Sequence, residues 1–240
     1  MNFCNHKFLI LLFILFASCD FTDANKGKTI DLFGLESVRQ STQGNPKDNS
    51  NSYRDIIDDV HGYLLNSTVI INVYDENGDG QGQGSGFFIE DGYLVTNYHV
   101  IENAHSITIG MHGMDIIARA KVKHYDEEND LALLSSDFKS DFRLKVAPAV
   151  IKAGDAIIVA GSPKGLEGTL STGIVSALRE YENFGQDLVQ ISAAISPGSS
   201  GGPVVNHSGE LVGIACSGIE SGNDLYFAVP VKYLINLLDR

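Results

Sequence analysis

Apolar and polar residues change rhythm several times along this chain. After Lys7, an unbroken apolar run of ten residues extends from Phe8 to Ala17. It is too short to cross a bilayer as a mature helix, which takes about 20 residues; a charged start followed by a short apolar middle predicts a signal peptide. From Asp20 to about Ser52 the apolar positions thin out among Asn, Asp, Ser, Lys, Gln and Gly, with Gly44-Asn45-Pro46 as a breaker. Such a stretch buries too little surface to offset the entropy of ordering it, and it predicts a flexible tether. Ile56, Ile57, Val60 and Leu64 then recur near helical spacing, predicting a short helix over Tyr53 to Leu65.

Beyond the helix the rhythm becomes short β-type runs between turn residues. They are Thr68 to Tyr74, Gly86 to Glu90, Tyr93 to Asn97, Ser106 to Met111, Ile116 to Val122, Leu131 to Ser135, Ala156 to Ala160, Leu170 to Ala177, Leu188 to Ser192, Pro203 to Asn206, Leu211 to Ala215 and Leu225 to Val229. So many closely spaced strands predict an all-β sandwich or a pair of barrels. Val231, Leu234, Ile235 and Leu238 return to helical spacing and predict a closing helix over Val231 to Leu238. No internal repeat points to a solenoid or propeller. The chain thus divides into a signal peptide over residues 1–18, a tether over 19–52 and a folded domain over 53–240.

Composition changes this picture little. The 240 residues are 43% hydrophobic and 20% charged, as in a globular protein. The formal net charge of -13 comes from acids scattered along the whole length, which excludes a nucleic-acid binder, since neutralising phosphates takes clustered Lys and Arg. Three cysteines, Cys4, Cys19 and Cys216, are too few for a disulfide framework. The run Leu15-Phe16-Ala17-Ser18-Cys19 resembles a bacterial lipoprotein signal, in which cleavage before the cysteine leaves it to carry the lipid. A diacyl or triacyl group on Cys19 would anchor the chain stably to a membrane. Cys216 is then the remaining thiol, expected to bury itself as a small hydrophobe.

Candidate chemistry begins at Ser196-Pro197-Gly198-Ser199-Ser200-Gly201-Gly202-Pro203. A serine nucleophile must sit on a tight turn that exposes its hydroxyl and converges backbone N–H groups on one point, and flanking glycines permit that shape. Gly198 and Ser200 would supply the N–H donors of an oxyanion hole. The string also fits the Gly-x-Ser-x-Gly elbow of α/β-hydrolases, but there the acid and then the histidine follow the serine. Only forty residues follow Ser200, with His207 as their sole histidine, so the elbow is set aside.

Among the histidines, His99 stands at the exit of the apolar run Tyr93 to Asn97, where a rigid strand can aim an imidazole. Asp130 precedes Leu131-Ala132-Leu133-Leu134; a carboxylate facing the core needs a hydrogen-bonding partner, and His99 is the candidate. Asp126, Glu127 and Glu128 read as an exposed acidic turn. In the order His99, Asp130, Ser200, these residues follow one known arrangement of the catalytic triad. No metal or cofactor is expected. Asp75 to Gly80 copies the first half of a calcium loop but has Gly86 at its twelfth position, and no His-Glu-x-x-His spacing occurs.

Together these residues resemble the HtrA (Deg) branch of the trypsin-like serine peptidases. The likeness is carried by Gly84-Ser85-Gly86-Phe87, Thr96-Asn97-Tyr98-His99-Val100, Asp130-Leu131-Ala132, Gly161-Ser162-Pro163 with Gly165, Thr172-Gly173-Ile174-Val175-Ser176, Ala193-Ala194-Ile195, the string around Ser200, and Phe227-Ala228-Val229-Pro230. It covers about residues 67 to 235 and implies two packed six-stranded β-barrels with the triad in the cleft between them. Ser199 stands where the family commonly has Asn, and the chain ends too soon for the PDZ domains that often follow. A homotrimer, frequent in the family, is an assembly this leaves open.

The resemblance also puts Ala194, six residues before the nucleophile, at the floor of the pocket for the side chain preceding the cut, with Ile195 beside it. A neutral floor would leave a buried Lys or Arg unpaired, so small or medium aliphatic side chains are expected. The expected function is cleavage of unfolded or damaged envelope proteins on the periplasmic side of a bacterial cell envelope. The alternative is a silent or latent protease-like protein that binds peptides.

Overall fold

A computed structural model describes residues 60–90, 92–114, 117–147, 150–162, 168–181, 186–216 and 225–240. The signal peptide, the tether, Cys19, residues 53–59 of the first expected helix and the Pro163 and Gly165 positions lie outside the described residues. Contacts divide the chain into two units, 1–50 and 51–240, and the fold below is that of the second.

Helix α1 covers residues 60–67. Strands β1 (Thr68–Tyr74), β2 (Gly80–Glu90), β3 (Tyr93–Thr96), β4 (Ser106–Met111), β5 (Ile117–Asp126) and β6 (Leu131–Ser136) close into one barrel in the order β1-β2-β3-β6-β5-β4. Strands β7 (Ala156–Gly161), β8 (Thr169–Tyr181), β9 (Gln186–Ile191), β10 (Pro203–Asn206), β11 (Leu211–Cys216) and β12 (Tyr226–Pro230) close a second in the order β10-β11-β12-β9-β8-β7. Neighbouring strands within each barrel pair antiparallel. The short α2 (Tyr98–Ile101) follows β3, and α3 (Val231–Leu238) follows β12. All twelve expected strands and the closing helix are present, as a double barrel.

Side-chain alternation explains the two kinds of strand in the sequence. Val69, Ile71 and Val73 of β1, with Ile107 and Ile109 of β4, point into the first barrel, whereas Asn72, Ser106 and Thr108 on alternate positions are half-buried or exposed. On β2 and β6 both faces are covered. Phe88, Ala132 and Leu134 fill the first barrel, whereas Phe87, Leu131 and Leu133 join Ile214, Phe227 and Val229 of the second barrel in a cluster shared by the two. On β11 and β12, Ala215 and Ala228 point the other way, into the second barrel. Strands buried on both faces read as continuous apolar runs, which is how Leu131 to Leu134 and Leu211 to Cys216 read. Leu64 of α1 and Leu234 and Leu237 of α3 close the shared cluster.

Three elements extend four residues or more beyond one end of the apolar run that predicts them. β2 begins at Gly80, six residues early, because Gly82 and Gly84 pair through their backbones with Val73 and Ile71. Glycine disfavours strands in isolation, but an established neighbour supplies the ladder. β5 runs on to Asp126 and β8 to Tyr181. Asp126 also differs from its expected place in an exposed acidic turn. It is buried, and its carboxylate accepts the Asn129 N–H at 3.0 Å and a guanidinium N–H of Arg240 at 2.8 Å. The turn toward Asp130 is thereby fixed from both sides, while Glu127 and Glu128 are exposed as expected.

Candidate active site

The loop bearing Ser200 joins β9 to β10. Its first part, Ser196 to Ser199, closes with an N–H···O bond from Ser199 to Ser196 at 2.9 Å, and Gly198 adopts φ 98°. Pro197 pre-sets the negative φ of the second position and Gly198 supplies the positive φ of the third, as a type II turn requires. The Gly198 carbonyl accepts from the Ser85 hydroxyl at 2.7 Å, and that hydroxyl accepts from the Ser162 N–H at 2.9 Å. With its carbonyl tied inward, Gly198 has an N–H that bonds to nothing among the described residues.

The rest of the loop is clamped by backbone bonds from both barrels. Ser85 donates to the Ser200 carbonyl at 2.8 Å, Gly201 donates to the Ala215 carbonyl at 2.8 Å, and Ala215 donates to the Gly202 carbonyl at 2.8 Å. Ser200 is 5% exposed. Gly84 of β2 fits against both the Ser200 carbonyl and the side chain of Val100; a β-carbon there would lie 3.2 Å from the former and 2.6 Å from the latter. The Ser200 loop and the residue after His99 therefore meet at one glycine.

His99 lies in α2, with its side chain 43% exposed. Its Nδ1 is 2.8 Å from Oδ2 and 3.0 Å from Oδ1 of Asp130, and its backbone N–H donates to Oδ1 at 2.9 Å. A carboxylate only accepts, so the proton of neutral imidazole sits on Nδ1 and Nε2 keeps its lone pair. Asp130, the residue before β6, has φ 51°, in the left-handed region that few non-glycine residues enter, Asn and Asp chief among them. Its carbonyl accepts from the Asn97 side-chain amide at 2.9 Å.

The expected site residues thus fall into two groups. His99 and Asp130 are in direct contact, and Ser200 is anchored beside the residue that follows His99. Ala194 is exposed on the loop after β9, whereas Ile195 is 8% exposed and belongs to the second barrel's own cluster. Asn97, Ser85 and Asp126 are missed by sequence reasoning, because each works through a partner distant in the chain. Cys216, buried in the shared cluster, has its thiol pushed up to about 12 by burial and then by the charge of Asp130. Among the described residues no cluster could hold a metal ion. Asp75, from the calcium-like stretch, instead accepts the backbone N–H groups of Asp79 at 2.8 Å and Asn77 at 2.9 Å. A groove lined by Ala147, Ile151, Leu188, Val212 and Ile235 opens beside α3 and includes none of His99, Asp130 and Ser200.

This geometry can be set beside known proteins. Residues 84–214 match the trypsin-like peptidase domain family. A probable periplasmic serine endoprotease, DegP-like, of Rhizobium meliloti is 40% identical over 166 residues, covering 65% of this chain and 32% of the relative. Protease Do-like 1, chloroplastic, of Arabidopsis thaliana is 36% identical over 176 residues, 67% of this chain and 39% of the relative. The chain therefore spans 32% to 39% of the length of these relatives. Among solved structures, the HtrA-type protease AlgW with a tripeptide aligns with a TM-score of 0.68 at 27% identity, over 78% of this chain and 62% of its own. The active form of the Rv3671c protease from M. tuberculosis shares the fold, with a TM-score of 0.68 at 23% identity over 75% of this chain and 82% of its own.

Proposed function

The chain belongs to the trypsin-like peptidase family, and from that premise we propose that it is a serine endopeptidase with His99, Asp130 and Ser200 as its triad. The observation that carries this reading is the two-oxygen contact of Asp130 with His99, formed beside an anchored Ser200 loop.

In the proposed reaction, Nε2 of His99 takes the hydroxyl proton of Ser200 as Oγ attacks a peptide carbonyl. Asp130 holds the ring and stabilises the imidazolium that forms. The oxyanion accepts from the N–H groups of Gly198 and Ser200, each contact supplying about 3–4 kcal/mol. The imidazolium then protonates the leaving amine, the C–N bond breaks, and water cleaves the acyl-enzyme by the same steps in reverse order of groups. The positive φ of Gly198 weighs against the rival reading of a latent protein, since a type I turn would swing the Pro197–Gly198 peptide about half a turn and carry its N–H away.

Unfolded or damaged proteins of a bacterial envelope are the proposed substrates, and the periplasmic side the proposed location, in keeping with the name of the Rhizobium meliloti relative. The lipid on Cys19 belongs to the same reading, which leaves a homotrimer open. Ala194 and Ile195 shape the pocket for small or medium aliphatic side chains, with no carboxylate to neutralise a cation. Digestion of a denatured protein, with cut sites read by mass spectrometry, tests this. Cuts should follow residues such as Ala and Val and vanish with Ser200→Ala; cuts mainly after Lys or Arg would overturn the pocket, and cuts that survive Ser200→Ala would overturn the nucleophile.

A further inference from the structure

We propose that Asn97 is a positioning residue for the His99–Asp130 pair. Its side-chain amide holds the backbone of Asp130 in the left-handed conformation that aims the carboxylate at Nδ1. The inference deepens the endopeptidase reading and rests on it for its kinetic part.

Asp130 is the only non-glycine among the described residues with positive φ, a conformation less favourable than the right-handed one and stabilised by contacts that hold it. Besides the bonds its carboxylate accepts from His99, two contacts restrain its backbone groups. Its N–H reaches the Glu127 carbonyl at 3.3 Å, beyond the usual range for N–H···O, while its carbonyl accepts from Nδ2 of Asn97 at 2.9 Å. The stronger of these two backbone restraints thus comes from a residue 33 positions away, two before His99.

Asn97 is an unusual choice for this position unless its N–H donors are needed. It is 0% exposed, and its Oδ1 is buried with no hydrogen-bond partner among the described residues. An unsatisfied buried acceptor is destabilising, and a smaller apolar side chain would avoid it. Turning the amide over would not help, for it would set two acceptor oxygens 2.9 Å apart in place of the bond to Asp130.

The backbone of Asn97 completes the arrangement. A β-carbon built on Gly201, the residue after Ser200, would lie 3.1 Å from the Asn97 nitrogen. Asn97 therefore touches the backbone of Asp130 through its side chain, precedes His99 by two residues, and abuts the residue that follows Ser200. A shift at Asn97 would move all three corners, but only the Asp130 corner depends on its amide.

The distinguishing variant is Asn97→Ala, compared with wild type on a quenched peptide containing Ala and Val sites. Without the amide, kcat should fall about tenfold or more, the size of one lost buried hydrogen bond, with KM unchanged because Asp130 does not touch substrate. The far-downfield proton NMR signal of Nδ1–H, which reports its bond to Asp130, should weaken or disappear. In an Asp130→Ala background the same change should cost no further kcat, since its route of action is already gone. If Asn97→Ala does not fold, Asn97→Ser, whose shorter hydroxyl leaves less of a cavity but does not reach the carbonyl, should show the same losses. An unchanged kcat with an unchanged Nδ1–H signal would overturn the proposal, as would an equal loss in the Asp130→Ala background. A wild type that cleaves no peptide would instead overturn the endopeptidase reading, leaving the proton signal to decide the role of Asn97.

Discussion

At the scale of single residues the Ser200 loop leaves little room. Gly201 has φ 85°, and a β-carbon there would overlap the Ser85 carbonyl and the Thr96 hydroxyl, which themselves share a hydrogen bond at 2.7 Å. Neither neighbour can give way, since one is backbone and the other is buried. Gly201→Ala should therefore lower the thermal midpoint and cut kcat/KM by about 100-fold or more, through both the backbone strain and the displaced nucleophile. A variant with wild-type melting and turnover would show that the loop tolerates movement. The proposed triad of His99, Asp130 and Ser200 is drawn from the sequence because each interrupts an apolar or glycine-rich pattern. Asn97 and Ser85 are not, because the carbonyls they bond, those of Asp130 and Gly198, lie 33 and 113 residues away and no local pattern records them.

At the scale of elements, the strands are legible through their apolar rhythm, whose failures have a common cause. β2 and β8 extend past the apolar runs because a paired backbone prolongs a strand regardless of side chain. Asp126 ends β5 with a buried carboxylate that pairs with Arg240, 114 residues on. The continuous apolar runs of β6 and β11 mark the strands between the barrels, and β11 carries Cys216 there. A thiol raised from an ordinary 9.0 to about 12 stays protonated in the folded state after it would ionise in the unfolded chain. Its contribution to stability is whole below pH 9.0 and is lost as pH climbs toward 12, at up to about 1.4 kcal/mol per pH unit. Urea unfolding across that window should show a steeper alkaline loss for wild type than for Cys216→Ala. Parallel slopes would mean that the thiol is accessible to water.

At the scale of the whole domain, two barrels share a cluster to which Phe87, Leu133, Ile214 and Phe227 contribute from both sides, sealed by Leu64 and Leu237. The Arg240–Asp126 pair ties the end of the second barrel's helix to the turn that leads into Asp130. The site is thus a property of the joined barrels. Ser85 of the first bonds Gly198 of the second-barrel loop, and Ala215 of the second holds Gly201 against Asn97. That assembly is what should turn the Ser200 hydroxyl into a nucleophile, and reaction with a serine-directed fluorophosphonate probe measures it most directly. The account predicts rapid labelling of the folded chain at Ser200, abolished by Ser200→Ala and strongly slowed by His99→Ala; a folded chain that is not labelled, or labelling that persists in Ser200→Ala, would contradict it.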